Sequence, residues 1–285
     1  MLVKNYKSIF QEALFSLYDE KEIESFFYLV LEQFHNLKRI DLALNPEMEI
    51  KKSDITRWES VLSELKKQKP IQYILGETSF YGLRFLVNED TLIPRPETEE
   101  LVELIIKEKA KDIRQKAIVK ILDIGTGSGC IAISLAKNLP NAQVFALDVS
   151  AKALVIAKKN AELNTVNVTF IQKNILETAD LEQQFDIIVS NPPYVRMLEK
   201  TEINPNVLEY EPHLALFVDD NDALLFYRKI AELARINLSE NGSLYFEINQ
   251  YLGKETVELL INLGFKNIEL RKDIYGNNRM ISCVL

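Results

Sequence analysis

From Val119 onward the chain alternates short apolar runs, rich in β-branched residues, with helix-periodic stretches, and no other feature narrows its fold so far. Strand-like runs fall at Val119–Ile124, Gln143–Val149, Val168–Gln172, Phe185–Ser190, Ser243–Ile248, Phe265–Leu270 and Met280–Leu285. Helical runs fall at Cys130–Asn138, Ala151–Asn164, Ala223–Leu238 and Lys254–Leu263. This order specifies a mostly parallel sheet with helices on both faces, because parallel neighbours need a crossover long enough to hold a helix. The last two strands are joined only by Arg271 to Arg279, too short for such a crossover, so they pair antiparallel. The expected class is α/β: a doubly wound sheet with a reversed last strand.

Ahead of the sheet, the pattern from Asn5 to about Gln68 is helical. Ile9, Ala13, Leu14 and Leu17 share one face; Phe26, Phe27, Val30, Leu31 and Phe34 form another stripe, read as core. Breaks at Asp19-Glu20-Lys21, His35-Asn36 and Asn45-Pro46 give four short helices, with Ser53 or Asp54 capping the one that carries Trp58, Val61, Leu62 and Leu65. Pro70 ends this bundle. Between Ile71 and Val87 the β-favouring Tyr73, Ile74, Phe80, Tyr81, Phe85 and Val87, interrupted by Gly76 and Gly82, read as a hairpin. The expected organisation is a small helical domain over 1–69, a hairpin linker over 70–95 and the sheet domain over 96–285. In Leu92-Ile93-Pro94-Arg95-Pro96-Glu97-Thr98-Glu99, capping and the helix dipole account for Thr98, Glu99 and Glu100. They do not account for Pro94-Arg95-Pro96, which is expected to border the site.

Composition removes several functions. A net charge of −8 argues against a broad phosphate-binding surface, so direct nucleic-acid binding is not expected. Two cysteines, Cys130 and Cys283, and two histidines, His35 and His213, have no spacing that fits a disulfide framework or a metal site. No apolar run has the length of a membrane span, and the acidic N-terminal residues do not resemble a secretion or import signal, so a soluble cytoplasmic protein is expected.

The chemistry is concentrated at strand ends. Phe185 to Ser190 reads as a buried strand that stops at Asn191-Pro192-Pro193-Tyr194, and in an open parallel sheet ligands bind at the carboxyl ends of strands. Two prolines leave rigid carbonyl acceptors and no N–H, Asn191 adds a side-chain carbonyl, and Tyr194 adds a flat ring. Such a loop fits a planar NH₂ group, either an exocyclic amine of a base or a carboxamide. After the first strand comes Asp123-Ile124-Gly125-Thr126-Gly127-Ser128-Gly129; Cys130 stands where a dinucleotide fingerprint would place its third glycine, which disfavours NAD. Asp148, ending the second strand, is placed for both hydroxyls of a ribose, and Asn174, after the third, for an adenine edge. Together Gly125, Thr126, Gly127, Ser128, Gly129, Asp148, Asn174 and Asn191 describe an S-adenosylmethionine site, with the NH₂ acceptor held over the sulfonium methyl.

These residues resemble the class I methyltransferase set. The Asn-Pro-Pro-Tyr form is shared by adenine-N6 DNA methyltransferases and protein glutamine methyltransferases. Three further stretches, Pro70-Ile71-Gln72-Tyr73-Ile74-Leu75-Gly76, Leu92 to Glu99, and Tyr210-Glu211-Pro212, are similar only to the latter. Over nearly its whole length the chain resembles the HemK/PrmC family, the release-factor glutamine methyltransferases. The resemblance implies a Rossmann-like class I fold and methylation of N5 of the Gln in the Gly-Gly-Gln motif of class I peptide chain release factors. Asn191, Pro192, Pro193 and Tyr194 are the residues expected to carry the chemistry, no metal is expected, and the helical domain is expected to hold the protein substrate. Ribosomal-protein glutamine methyltransferases share Asn-Pro-Pro-Tyr but typically lack Arg-Pro-Glu-Thr-Glu. The chain departs from the family pattern at Asn174, where Asp is common, and at Asn249, where Gly is expected and where Asn tolerates a left-handed backbone.

Overall fold

The structure is a computed structural model that describes residues 1–115 and 118–285, with side chains outside 109–117. It divides into two compact units, Met1–Gly76 and Glu77–Leu285.

In the first unit, α1 (Val3–Leu14), α2 (Glu20–His35), α3 (Arg39–Leu44) and α4 (Lys52–Lys66) follow the expected breaks. Asp19 caps α2 by accepting from the amides of Lys21 and Glu22, and Asn36 closes it in the left-handed region, at φ 53°. Two expectations are corrected. The buried face of α1 is Val3, Tyr6, Phe10 and Leu14, while Ile9 and Leu17 are exposed: the helical period holds but its phase is rotated, because the rings of Tyr6 and Phe10 bury more apolar area. Ser53 and Asp54 lie inside α4 and do not cap it; the N-cap is Lys51, with no side-chain bond. Trp58, fully buried, gathers Tyr6, Phe10, Phe27 and Phe34 around it and donates to His35 Nε2 at 3.0 Å. A further correction follows Pro70. Ile71–Leu75 is a short helix, α5, that ends at Gly76 with φ 77°, and its Ile71 joins the core of the helical unit. Local contacts of Ile71, Ile74 and Leu75 with that core override their β propensity.

The second unit opens with the hairpin β1 (Glu77–Phe80) and β2 (Leu83–Leu86), then α6 (Pro96–Gln115). Strands β3 (Val119–Ile124), β4 (Ala142–Asp148), β5 (Val168–Gln172) and β6 (Phe185–Ser190) alternate with α7 (Cys130–Asn138) and α8 (Ala151–Leu163). Between β6 and β9 lie two short paired strands, β7 (Val195–Arg196) and β8 (Phe217–Val218), and the helices α9 (Pro205–Tyr210), α10 (His213–Leu216) and α11 (Leu225–Asn237). The chain ends with β9 (Leu238–Glu247), α12 (Gly253–Asn262), β10 (Lys266–Lys272) and β11 (Asn278–Val284). The main sheet runs β10-β11-β9-β6-β3-β4-β5, and only β11 is antiparallel to its neighbours. Alternate residues feed two cores. Ile121, Val144, Ile187 and Val189 face α6 and α7, whereas Leu122, Phe145, Ile188 and Leu244 face α11 and α12. The strand order reverses between β3 and β6, so the carboxyl ends of β3, β4 and β6 converge there. No described helix is long and apolar enough to cross a membrane.

Two buried polar side chains hold this unit together. Asn160 of α8, with no exposed surface, accepts from the Leu86 amide at 2.6 Å and donates to the carbonyls of Leu86 at 3.0 Å and Ser128 at 2.9 Å. One turn later Asn164 donates to the Arg84 carbonyl at 2.8 Å, so the edge of β2 is paired by side chains in place of another strand. Asp123, at the end of β3, accepts from Thr126 Oγ1 at 2.6 Å and from the Ala132 amide at 3.2 Å in the first turn of α7, while its other oxygen has no partner among the described residues. Burial pushes its carboxyl up to about 7.

Asn160→Ala strips three backbone groups of their partner and is expected to lower unfolding stability by about 3 kcal/mol, read from the urea midpoint at constant slope. For Asp123 the folded value lies above the unfolded one, so its stabilising contribution is complete in acid and is lost as pH rises through about 7. The melting temperature is therefore expected to fall from about pH 4 to about pH 7 and to level off above that, and Asp123→Asn to flatten the fall.

Candidate active site

Strands β3, β4, β5 and β6 deliver their carboxyl ends to a cavity of about 270 Å³. Of the residues singled out from sequence, Gly125, Gly127, Asp148, Asn174, Asn191, Pro192 and Pro193 line it. Backbone amides of Gly125 and Thr126 bond the Leu147 carbonyl, tying the glycine loop to β4. Asp148 takes one N–H on each carboxylate oxygen: Gly127 at 2.8 Å and Ser150 at 2.9 Å. An ionised carboxylate has further lone pairs on both oxygens, which can accept from two vicinal hydroxyls. Burial raises the Asp148 carboxyl above its ordinary value.

Glycine is required for two different reasons in this loop. At Gly127 a Cβ would meet no protein atom within 4 Å, and the residue lines the cavity, so a side chain there would fill space meant for a ligand. At Gly129, with φ 84°, a Cβ would lie 2.8 Å from Ile133 and 3.2 Å from Ala157, so the glycine lets α7 pack on α8. Thr126 and Ser128 are buried and do not line the cavity: Thr126 holds Asp123, and the Ser128 carbonyl holds Asn160. Asn174 lines the cavity but spends its Oδ1 on the Leu176 amide, at 3.1 Å, in the turn after β5. Apolar walls from Ile175, Leu176, Phe226 and Ile230 suit a flat base. The open glycine cradle, the strand-end acid and these walls fit S-adenosylmethionine.

A second cavity, of about 420 Å³, adjoins the first, and Asn191 and Pro192 line both. Tyr194 and Glu247 line only the second. Glu247, at the end of β9 and almost fully buried, accepts from Thr98 Oγ1 at 2.6 Å and from the Tyr194 hydroxyl at 3.0 Å. Asn191 Nδ2 donates to Thr98 Oγ1 at 3.2 Å. Behind Tyr194, Arg279 lies 3.5 Å from the phenol oxygen and 3.1 Å from Asp273. Burial raises the Glu247 carboxyl, and burial with the charge of Glu247 raises the Tyr194 phenol well out of reach of neutral pH.

The capping role expected for Thr98 is corrected by these contacts, while Glu99 does lie in the first turn of α6, and both Glu99 and Glu100 make further bonds. Thr98 is buried against Glu247, Glu99 accepts from the Tyr81 amide at 2.8 Å, and Glu100 accepts from the Ile274 amide at 3.2 Å. Of Pro94-Arg95-Pro96, Arg95 lines the second cavity and pairs with buried Glu211 at 2.5 Å, and Glu211 also accepts from the Ile93 amide at 3.2 Å. Asn249 is not in the left-handed region; it works through its side chain, which donates to the Tyr194 carbonyl and to Glu199 and accepts from the Tyr251 amide, each at 2.9 Å. Thr98, Glu247 and Arg279 were missed from sequence. Their one signal was an acid, Glu247, between the apolar run Leu244-Tyr245-Phe246 and Ile248. Among the described residues no group of His, Cys, Asp and Glu side chains is placed to hold a metal ion.

The chain is similar to known proteins along its length. Residues 8–76 match the family model described as the PrmC N-terminal domain, and residues 104–210 match the methyltransferase small domain. A release factor glutamine methyltransferase from Flavobacterium psychrophilum is 72% identical over 99% of this chain and 98% of its own length. Another, from Bacteroides thetaiotaomicron, is 43% identical over 95% of this chain and 96% of its own. Among solved structures, a methyltransferase from Pyrococcus furiosus matches with a TM-score of 0.52 at 18% identity, covering 82% of this chain and 98% of that one, which is a likeness of fold. With relatives this similar along its full length, the chain belongs to the HemK/PrmC family of release factor glutamine methyltransferases.

Proposed function

We propose that the chain transfers a methyl group from S-adenosylmethionine to the side-chain amide nitrogen of the Gln in the Gly-Gly-Gln motif of class I peptide chain release factors, in the cytoplasm. The observation that carries this reading is the position of Asn191 and Pro192 between two adjoining cavities, one with the cofactor's chemistry and one bounded by Tyr194 and Arg95. When bound, S-adenosylmethionine supplies an electrophilic sulfonium methyl. Asp148 would hold the ribose hydroxyls, the glycine loop would hold the methionine part, and Asn174 with the apolar walls would hold the base.

A carboxamide nitrogen is a weak nucleophile because its lone pair is delocalised, so placement must carry the catalysis. Asn191 Oδ1 and the Pro192 carbonyl accept the two amide hydrogens, while Pro193 stiffens the loop and Tyr194 bounds the amide plane. Alignment of this sort is worth about 7–11 kcal/mol. As positive charge grows on nitrogen, the same acceptors bind it more tightly than in the ground state, which lowers the barrier. Proton loss follows transfer. An adenine amine fits the same acceptors, but base flipping needs a basic channel, and the net charge of −8 disfavours one.

With labelled cofactor and a full-length release factor, Asn191→Ala is expected to abolish labelling while leaving cofactor affinity nearly unchanged by calorimetry. Asp148→Ala is expected to do the reverse, raising the dissociation constant by about a hundredfold or more. Label on duplex DNA, or on a release factor whose Gln is replaced, would overturn the substrate assignment.

The Met1–Gly76 unit is proposed to hold the release factor, a reading supported by its separate family match and by exposed Phe15 and Leu44, 77% and 71% accessible. Hydrogen exchange on the intact chain is expected to slow within 1–76 when the release factor is added; unchanged exchange there would refute the role.

A further inference from the structure

Asn191 can serve as an acceptor only if its amide faces the right way. Oxygen and nitrogen of that group have nearly the same shape, so packing does not distinguish the two orientations. Hydrogen-bond polarity does. Glu247 offers two oxygens and, when ionised, no proton, and it meets Thr98 Oγ1 at 2.6 Å and the Tyr194 hydroxyl at 3.0 Å. Thr98 has a single hydroxyl proton, and the short contact to the carboxylate commits it. The Thr98 oxygen is then left with lone pairs alone, so the Asn191 atom 3.2 Å away must be the NH₂. The carbonyl is thereby turned to the other side.

We infer that Thr98 and Glu247 are positioning residues that fix the Asn191 amide with its oxygen toward the methyl acceptor. This inference rests on the reaction proposed above and adds to it the device that makes the acceptor an acceptor. It also gives the threonine of Pro96-Glu97-Thr98-Glu99 a reason that helix capping does not, since its hydroxyl points away from solvent, with 2% of the residue accessible. Neither residue touches the reacting atoms. Both act through Asn191, Thr98 directly and Glu247 through Thr98.

The test compares Thr98→Val, which keeps the shape and removes the hydroxyl, with Thr98→Ser, which keeps the hydroxyl. Two readouts are taken: steady-state methylation of a full-length release factor, and the side-chain ¹H–¹⁵N resonances of Asn191, assigned by their loss in Asn191→Ala. Thr98→Val is expected to lower kcat by about a hundredfold, with KM for the release factor and the cofactor dissociation constant within about twofold of the unmodified protein. The Asn191 resonances shift in the valine variant, and Thr98→Ser restores both the resonances and most of kcat. If Thr98→Val does not fold, Thr98→Ala takes its place in the same comparison. Wild-type kcat in the variant lacking the hydroxyl, unmoved Asn191 resonances, or a serine variant as slow as the valine one would overturn the inference. Failure of the unmodified protein to label the release factor would instead sink the substrate assignment, and the resonances, which need no protein substrate, would still decide the role of Thr98.

Discussion

Glu247 is a carboxylate with 1% of its surface accessible, at the end of a strand in the middle of the sheet. When ionised, such a group must be met by donors from the protein, and it then dictates the direction of every hydrogen bond that reaches it. Thr98 comes to it from α6 and Tyr194 from the loop after β6, and Arg279 approaches the far side of Tyr194 from β11. One buried acid therefore holds three separated parts of the chain in register. It also explains why the reversed strand matters to the site: β11 lies beside β9, which puts Arg279 within reach of the phenol that Glu247 holds.

Much of the architecture was legible because periodicity and connection length act locally. The runs Val119–Ile124, Cys130–Asn138, Val168–Gln172 and Phe185–Ser190 coincide with their elements, and the short Arg271–Arg279 connection forced the antiparallel pair. What failed was what depends on tertiary contact. Ile71–Leu75 has strand-favouring residues but becomes helix where Ile71, Ile74 and Leu75 meet the core of the helical unit. The phase of α1 was set by where Tyr6 and Phe10 meet Trp58, which no local pattern encodes. The short parallel pair of Val195–Arg196 with Phe217–Val218 carried too few residues to show any period.

In the site, the glycine loop, Asp148 and Asn191 to Tyr194 were visible because each sits at a strand end, where sequence order alone places it. The supporting residues were not. Asn191 and Thr98 are 93 positions apart and Thr98 and Glu247 are 149 apart, and although Glu247 stands out among apolar neighbours, nothing local says which residue it meets. Thr98 was read as a helix cap because that is the local use of threonine before a helix; its actual partner arrives from another strand. Asn249 shows the same limit from the other direction. It stands at a position read for its backbone, while the structure uses its amide to join Tyr194, Glu199 and Tyr251.

The acceptor loop cannot by itself choose between substrates. Two carbonyl oxygens and a ring suit an adenine amine and a glutamine amide alike. Selection must come from what surrounds the loop. A flipped base arrives with a phosphate backbone that calls for clustered cations around the entrance, whereas the second cavity sets Arg95 against Glu211 and so neutralises its one bordering arginine. A glutamine side chain brings no charge, needs no such cations, and asks only for a narrow slot that ends at the acceptors. Among the residues that line the cavity bounded by Tyr194 and Glu247, the cation is Arg95, already paired with Glu211, so its lining suits an uncharged side chain better than a phosphate backbone.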